Sequence, residues 1–215
     1  MALIRLREGV TLELHPFRAA FWREGDALLV ADLHLGKARH FRRSGIAVPQ
    51  GVSDANWDRL ISLLIDWHPG QVVFLGDLFH SSYNAEWEHL AALREQFGGV
   101  RFILVRGNHD ILSDAHYRAA GIELWEEPWA CGPLLFSHHP MKVEEVGEAY
   151  NLSGHIHPAV TLRGAGRQAN RLPCFLFGPR AGILPAFGAF TGHARIRPGK
   201  SDRVFVLTDR AVIEV

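Results

Sequence analysis

Five short strand-like runs in this sequence each end in residues of the kinds that bind metals. Ala27–Ala31 is followed by Asp32 and His34, and Val72–Leu75 by Gly76 and Asp77. Phe102–Val105 leads into Gly107, Asn108, His109 and Asp110; Leu134–Phe136 into His138 and His139; Asn151–Leu152 into Gly154, His155 and His157. Unbroken apolar runs of this length read as buried strands. Ligands of open α/β sheets bind beyond the carboxyl ends of the strands. Five strand ends carrying carboxylates, imidazoles and an amide can therefore meet in one place. The glycines let the backbone turn sharply and approach such a site closely.

The stretches between the runs support this reading. "SDANWDRLISLLIDW" places Trp57, Leu60, Ile61 and Leu64 at helical spacing, and "NAEWEHLAALREQF" does the same with Trp87, Leu90, Leu93 and Phe97. "SDAHYRAAG" reads as a short helix that Gly121 stops. The tail, "LPCFLFGPRAGILPAFGAFTGH" and "DRVFVLTDRAVIEV", reads as strands separated by Gly/Pro turns. Strand–helix alternation followed by strands predicts an α/β core with a second sheet packed on it. At 215 residues, residues 1–215 are most economically one domain.

Hydrophobic residues make up 47% and charged residues 21%, the composition of a soluble globular protein, and no apolar run approaches a membrane span. The N-terminus mixes charge early and has no signal-peptide core, so the reading is cytoplasmic, with Cys131 and Cys174 reduced and buried. Net charge is zero, which argues against strong whole-molecule attraction to nucleic acid. The basic residues nevertheless cluster: Lys37, Arg39, Arg42 and Arg43 follow the first metal-type pair, and Arg163, Arg167 and Arg171 follow the last. Both clusters are candidate phosphate contacts. The acidic stretches "ELWEE" (123–127) and "EEVGE" (144–148) are expected to face solvent elsewhere. His15, His68, His80, His89, His116 and His193 match no motif; His40 and His80 are placed near the pocket mouth at most.

The histidines of "SGHIHP" are two positions apart, a spacing that suits an extended segment with both rings on one side. The order D-x-H, G-D, G-N-H-D, H, G-H-x-H over residues 32–157 resembles the calcineurin-like metallophosphoesterases. That resemblance implies two mixed β-sheets packed as a sandwich with flanking helices, and two divalent ions. It assigns Asp32, His34 and His157 to one ion, Asn108, His138 and His155 to the other, and Asp77 to both. In "SHHP" the sequence leaves His138 and His139 as alternatives, with the first histidine the family's usual ligand. His109 is implied to face the substrate and protonate the leaving alkoxide, with Asp110 holding its imidazole. The mixed oxygen and nitrogen donors suit Mn, Fe or Zn. A bridging carboxylate fits two ions that share a water, which attacks phosphorus as hydroxide.

"ADLHLGKARHFRRSGIAVPQG" (31–51), "LPAFGAFTG" (184–192) and "LHPFRAAFW" look like a bacterial branch, the ligase-associated DNA damage response endonucleases, with His193 as a local departure. This implies a manganese-dependent endonuclease preferring single-stranded DNA, working in repair beside an ATP-dependent DNA ligase, a helicase and an exonuclease. The same-fold alternative is a phosphatase of small molecules, nucleotides or phosphoproteins.

Overall fold

The structure is a computed structural model and describes residues 1–37, 52–79, 86–164, 169–189 and 191–215. Its centre is a seven-stranded mixed sheet in the order β1 to β7. β1 (Ala2–Arg7), β2 (Val10–His15), β3 (Ala19–Trp22) and β4 (Ala27–Val30) pair antiparallel, and β4, β5 (Gln71–Leu75), β6 (Arg101–Val105) and β7 (Ile122–Trp125) pair parallel. The parallel strands are the unbroken apolar runs, and alternate residues face opposite ways, as the pleat requires. Leu28, Val30, Val72, Phe74, Phe102 and Leu104 pack against the helices, whereas Leu29, Ala31, Val73, Leu75, Ile103 and Val105 pack against the other sheet.

Among the described residues, three helices supply the first of those layers: α1 (Val52–Trp67), α2 (Glu86–Gln96) and α3 (Asp114–Ala119). Trp57, Leu60 and Leu64 of α1 and Trp87, Leu90 and Leu93 of α2 are buried there, as their spacing predicts, with Ile61 and Phe97 half-buried beside them. Gly121 ends α3 with φ +68° while its amide bonds the Arg118 carbonyl at 2.8 Å. This left-handed position is the one glycine takes most easily.

The second sheet is built from β8 (Trp129–Cys131), β9 (Leu134–Phe136), β10 (Tyr150–Ser153), β11 (Pro158–Arg163), β12 (Ala169–Phe177), β13 (Ala181–Ile183), β14 (Ala194–Arg195), β15 (Arg203–Leu207) and β16 (Val212–Glu214). Its order is β14-β11-β12-β13-β10-β9-β8, with β15 on β12 and β16 on β15. Phe136, Leu152, Phe175, Phe177 and Phe205 interleave with Leu12, Leu14 and Ile103 to form the sandwich core. The two mixed sheets and flanking helices match the fold the sequence motifs imply. The N-terminal hairpin strands β1–β3 were not legible as elements in advance. In β2 only Val10, Leu12 and Leu14 are buried, with polar residues between them. Both cysteines are free; Cys174 is buried and Cys131 half-buried. Among the described residues no helix is long and apolar enough to cross a membrane.

Candidate metal centre

The parallel run β4-β5-β6 brings Asp32, His34, Asp77, Asn108 and His109 to one sheet edge, and parallel β9 and β10 bring His138, His155 and His157 to the edge of the other. Loop-to-loop hydrogen bonds lock the edges together. His34 N–H donates to the Asp77 carbonyl at 2.9 Å, Gly154 N–H to the His138 carbonyl at 3.1 Å, and His155 N–H to Asp32 Oδ2 at 2.9 Å, the last across the two sheets. A Cβ at Gly154 would lie 2.6 Å from Asp32 Oδ2, so this approach requires glycine.

Five of the expected ligands sit in the left-handed backbone region: Asp32 (φ +52°), His34 (+49°), Asp77 (+51°), His155 (+67°) and His157 (+51°). Each costs about 1–3 kcal/mol unless its surroundings hold it, and such residues gather at functional sites. The extended segment expected for "GHIH" is therefore not what forms. Left-handed turns at both histidines separate their rings instead of stacking them on one side.

The separation is visible in the distances. His157 Nε2 lies 3.2 Å from Asp32 Oδ1, and Asp32, His34 and His157 present donor atoms within 4.8 Å of one another. His155 Nδ1 lies 3.0 Å from His138 Nε2, which is 2.9 Å from Asn108 Oδ1 and 3.6 Å from Asp77 Oδ1. The other oxygen of Asp77, Oδ2, lies 3.6 Å from His34 Nε2. Asp77 thus turns one oxygen to each group. Burial and the neighbouring His138 and His139 rings hold the His155 imidazole below its ordinary range, against the pull of Asp32 and Asp77.

Whether these atoms fit cations can be argued from their lone pairs. The Nδ1 of His138 faces the Leu75 carbonyl at 3.1 Å and must carry the proton. Its Nε2 then presents a lone pair to Asn108 Oδ1 and Asp77 Oδ1, acceptor against acceptor. His157 repeats the arrangement: Nδ1 faces the Thr191 carbonyl at 3.1 Å, so Nε2 presents a lone pair to Asp32 Oδ1. That carboxylate oxygen is buried and accepts no hydrogen bond. Buried acceptors facing one another are costly unless a cation lies between them. The residues fit divalent cations. The His138 side chain is fully buried, whereas His139 is 46% exposed and turned to Glu127.

Asp110 has other partners than those expected of it. Its Oδ1 accepts the amides of Leu78 (3.0 Å) and Phe79 (3.3 Å), and its Oδ2 accepts Gly107 N–H (2.9 Å). It clamps the "GD" loop to the "GNHD" loop, a task set by its burial rather than by the adjacent imidazole. Burial pushes its carboxyl up to about 7, against the amide hydrogen bonds. His109 donates its own amide to Asp77 Oδ1 at 2.9 Å, and its ring stands edge-on to His34 with centroids 5.4 Å apart.

The "ELWEE" stretch also departs from expectation at its last residue. Glu127 Oε2 accepts the amides of His138 (2.7 Å) and His139 (2.9 Å), and Oε1 pairs with His139 Nδ1 at 2.7 Å. Asn151 completes the support of this loop, accepting Met141 N–H and donating to the Leu135 carbonyl and Ser137 Oγ. No local motif marks either residue, because both act across strand connections. Of the basic cluster, Lys37 is half-buried beside Asp77 and Asp32; burial lowers its ammonium and the two carboxylates oppose that. Arg39, Arg42 and Arg43 lie outside the described residues, as do His40, His80 and Arg167. Arg163 and Arg171 are exposed on the paired strands β11 and β12.

A profile of the calcineurin-like phosphoesterases matches residues 27–177. Among solved structures, the nuclease MPE of Pseudomonas putida is similar at 31% identity over 100% of this chain and 99% of that one, with a TM-score of 0.82. The Escherichia coli phosphoesterase Yfce is a more distant likeness, at 16% identity over 88% of this chain and 97% of that one, with a TM-score of 0.43. No curated protein matches the chain. With two sheet edges delivering a fitted set of oxygen and nitrogen donors, and the family profile spanning every one of them, the chain belongs to the calcineurin-like phosphoesterase family of metal-dependent hydrolases.

Proposed function

We propose that this chain is a two-metal, manganese-dependent endonuclease of single-stranded DNA, serving repair in the cytoplasm beside a DNA ligase, a helicase and an exonuclease. The observation that carries the nuclease reading is the whole-length similarity to the nuclease MPE, at 31% identity. In this reading Asp32, His34 and His157 hold one ion, Asn108, His138 and His155 the other, and Asp77 both. The two ions, Mn by preference with Fe or Zn suited to the same donors, supply Lewis acidity and a nucleophile at neutral pH. His109 delivers a proton to the leaving alkoxide, and Glu127 fixes the His138 backbone and pairs with the His139 ring. Asn108 and His155 are exposed, so the donors are open to a polymer. Lys37 with Arg39, Arg42 and Arg43 contacts phosphates, and no base-reading motif directs the cut to a sequence.

The test is circular single-stranded DNA against p-nitrophenyl phosphate under Mn. Linearised circles are expected; fast monoester turnover with intact circles would favour the phosphatase reading. His109→Ala is expected to keep both ions by calorimetry and to slow cleavage by about 10²–10⁴-fold; metal loss would remove the acid role. Glu127→Ala is expected to weaken Mn binding by about 10–100-fold, the usual cost of losing a group that orients a ligand. A metal titration reads this directly, and an unchanged affinity would reduce Glu127 to a surface residue.

A further inference from the structure

A second cationic feature lies outside the metal centre. Arg18 and Arg59 line a cleft of about 380 Å³ together with Phe17, Leu172, Thr208 and Asp209. Both arginines are half-buried, and among the described residues neither forms an ion pair. Arg18 donates through Nη1 to the carbonyls of Ala186 and Gly188, both at 3.3 Å. Arg59 donates to the Phe187 carbonyl at 3.2 Å and to Asn56 Oδ1, and its guanidinium lies 5.0 Å from the Phe187 ring centroid. Arg18 Nε and Nη2 and Arg59 Nη1 make no hydrogen bond among the described residues. Burial holds both guanidiniums below their ordinary range, Arg59 at about 10 with the charge of Arg18 adding to the effect. Two adjacent, half-buried cations with no ion pair among the described residues are an unusual arrangement. Asp209 is the one acid of the cleft; it attracts Arg18 but is exposed and forms no ion pair with it.

The cleft is tied to the metal centre through one stretch of backbone. The carbonyls of Ala186, Phe187 and Gly188 face the arginines, while the amides of Phe187 and Gly188 donate to the carbonyls of Ala31 (2.8 Å) and Asp32 (3.2 Å). The Ala194 amide of the next stretch donates to the carbonyl of His157 at 3.0 Å, so this part of the chain also reaches the donor set. A guanidinium with free N–H groups is suited to a phosphate oxyanion.

We propose that the Arg18–Arg59 cleft binds a non-scissile phosphate of the polynucleotide and so holds the strand beside the metal centre. The choice of ligand rests on the nuclease reading; the uncompensated cations do not.

The test uses the full chain in EDTA, so that no metal site competes. A fluorescent single-stranded oligonucleotide is titrated by anisotropy across a salt series, with inorganic phosphate as competitor. Arg18→Gln is expected to weaken binding about 10-fold and to flatten the log–log salt slope by about 0.7, one phosphate contact on a single strand. Arg18→Lys should keep most of that slope. Asp209→Asn, a change of one exposed residue, is expected to tighten binding by about 2–5-fold. Unchanged affinity and slope in both Arg18→Gln and Asp209→Asn would overturn the cleft while leaving circle cleavage by the wild type intact. If instead the wild type binds inorganic phosphate through Arg18 but no oligonucleotide, and leaves circles uncut under Mn, the strand is not the ligand and the nuclease reading fails with it.

Discussion

Asp77→Ala is expected to abolish cleavage of circular single-stranded DNA and to lower the bound Mn below two ions per chain. Asp77 is the only described carboxylate that turns one oxygen to each donor group, Oδ2 toward His34 and Oδ1 toward His138, both at 3.6 Å. In the proposed two-ion site, losing it would remove a donor from both ions at once. Metal charge is worth several kcal/mol to a phosphoryl transition state, so the rate should fall by about 10³-fold or more. Asp77 Oδ1 also accepts the His109 amide, which gives the substitution a second, structural effect. Asp77→Asn separates the two, since it keeps an amide acceptor while withdrawing the charge. Calorimetry with Mn reads stoichiometry independently of activity. Two ions retained in Asp77→Ala would show that the carboxylate does not bridge.

The largest stability effect is expected at Asp110. Its side chain is buried, and removing it in Asp110→Ala strands the amides of Gly107, Leu78 and Phe79. Each unsatisfied buried donor costs about 1–3 kcal/mol, so a loss on the order of 3 kcal/mol or more is expected in urea unfolding. Because burial raises the carboxyl to about 7, the group contributes most below that value and less as pH rises through it, so the loss is expected to be larger at about pH 6 than at about pH 8. A destabilisation under about 1 kcal/mol would mean that the two loops hold without this clamp. A variant that unfolds normally yet loses only activity would return Asp110 to the role of imidazole holder.

Much of this protein was legible from its sequence because the informative signals are local. A strand buried on both faces needs an unbroken apolar run, and β4, β5 and β6 show one. Helices that cover one sheet face need apolar residues at helical spacing, and α1 and α2 have them. Strands β1–β3 gave weaker signals, since β1 buries little beyond Ile4, β2 alternates buried apolar with polar residues, and β3 is only four residues long. The metal-type residues were identifiable because motif order follows strand order.

By itself the sequence determined which residue types stand at each strand end, and with them the donor chemistry of the site. Only the tertiary structure decided which atoms meet. The bond from His155 N–H to Asp32 Oδ2 joins residues 123 apart and sets the distance between the two halves of the donor set. The Leu75 carbonyl, 63 residues from His138, fixes which nitrogen of that ring is free and separates its geometry from that of His139. Glu127 became a support of the centre, and Asp110 a clamp, through partners supplied by other strands. Side-chain type and spacing are written along the chain. Hydrogen-bond partners and left-handed turns are set by the packing of two sheets, and residue spacing does not encode them.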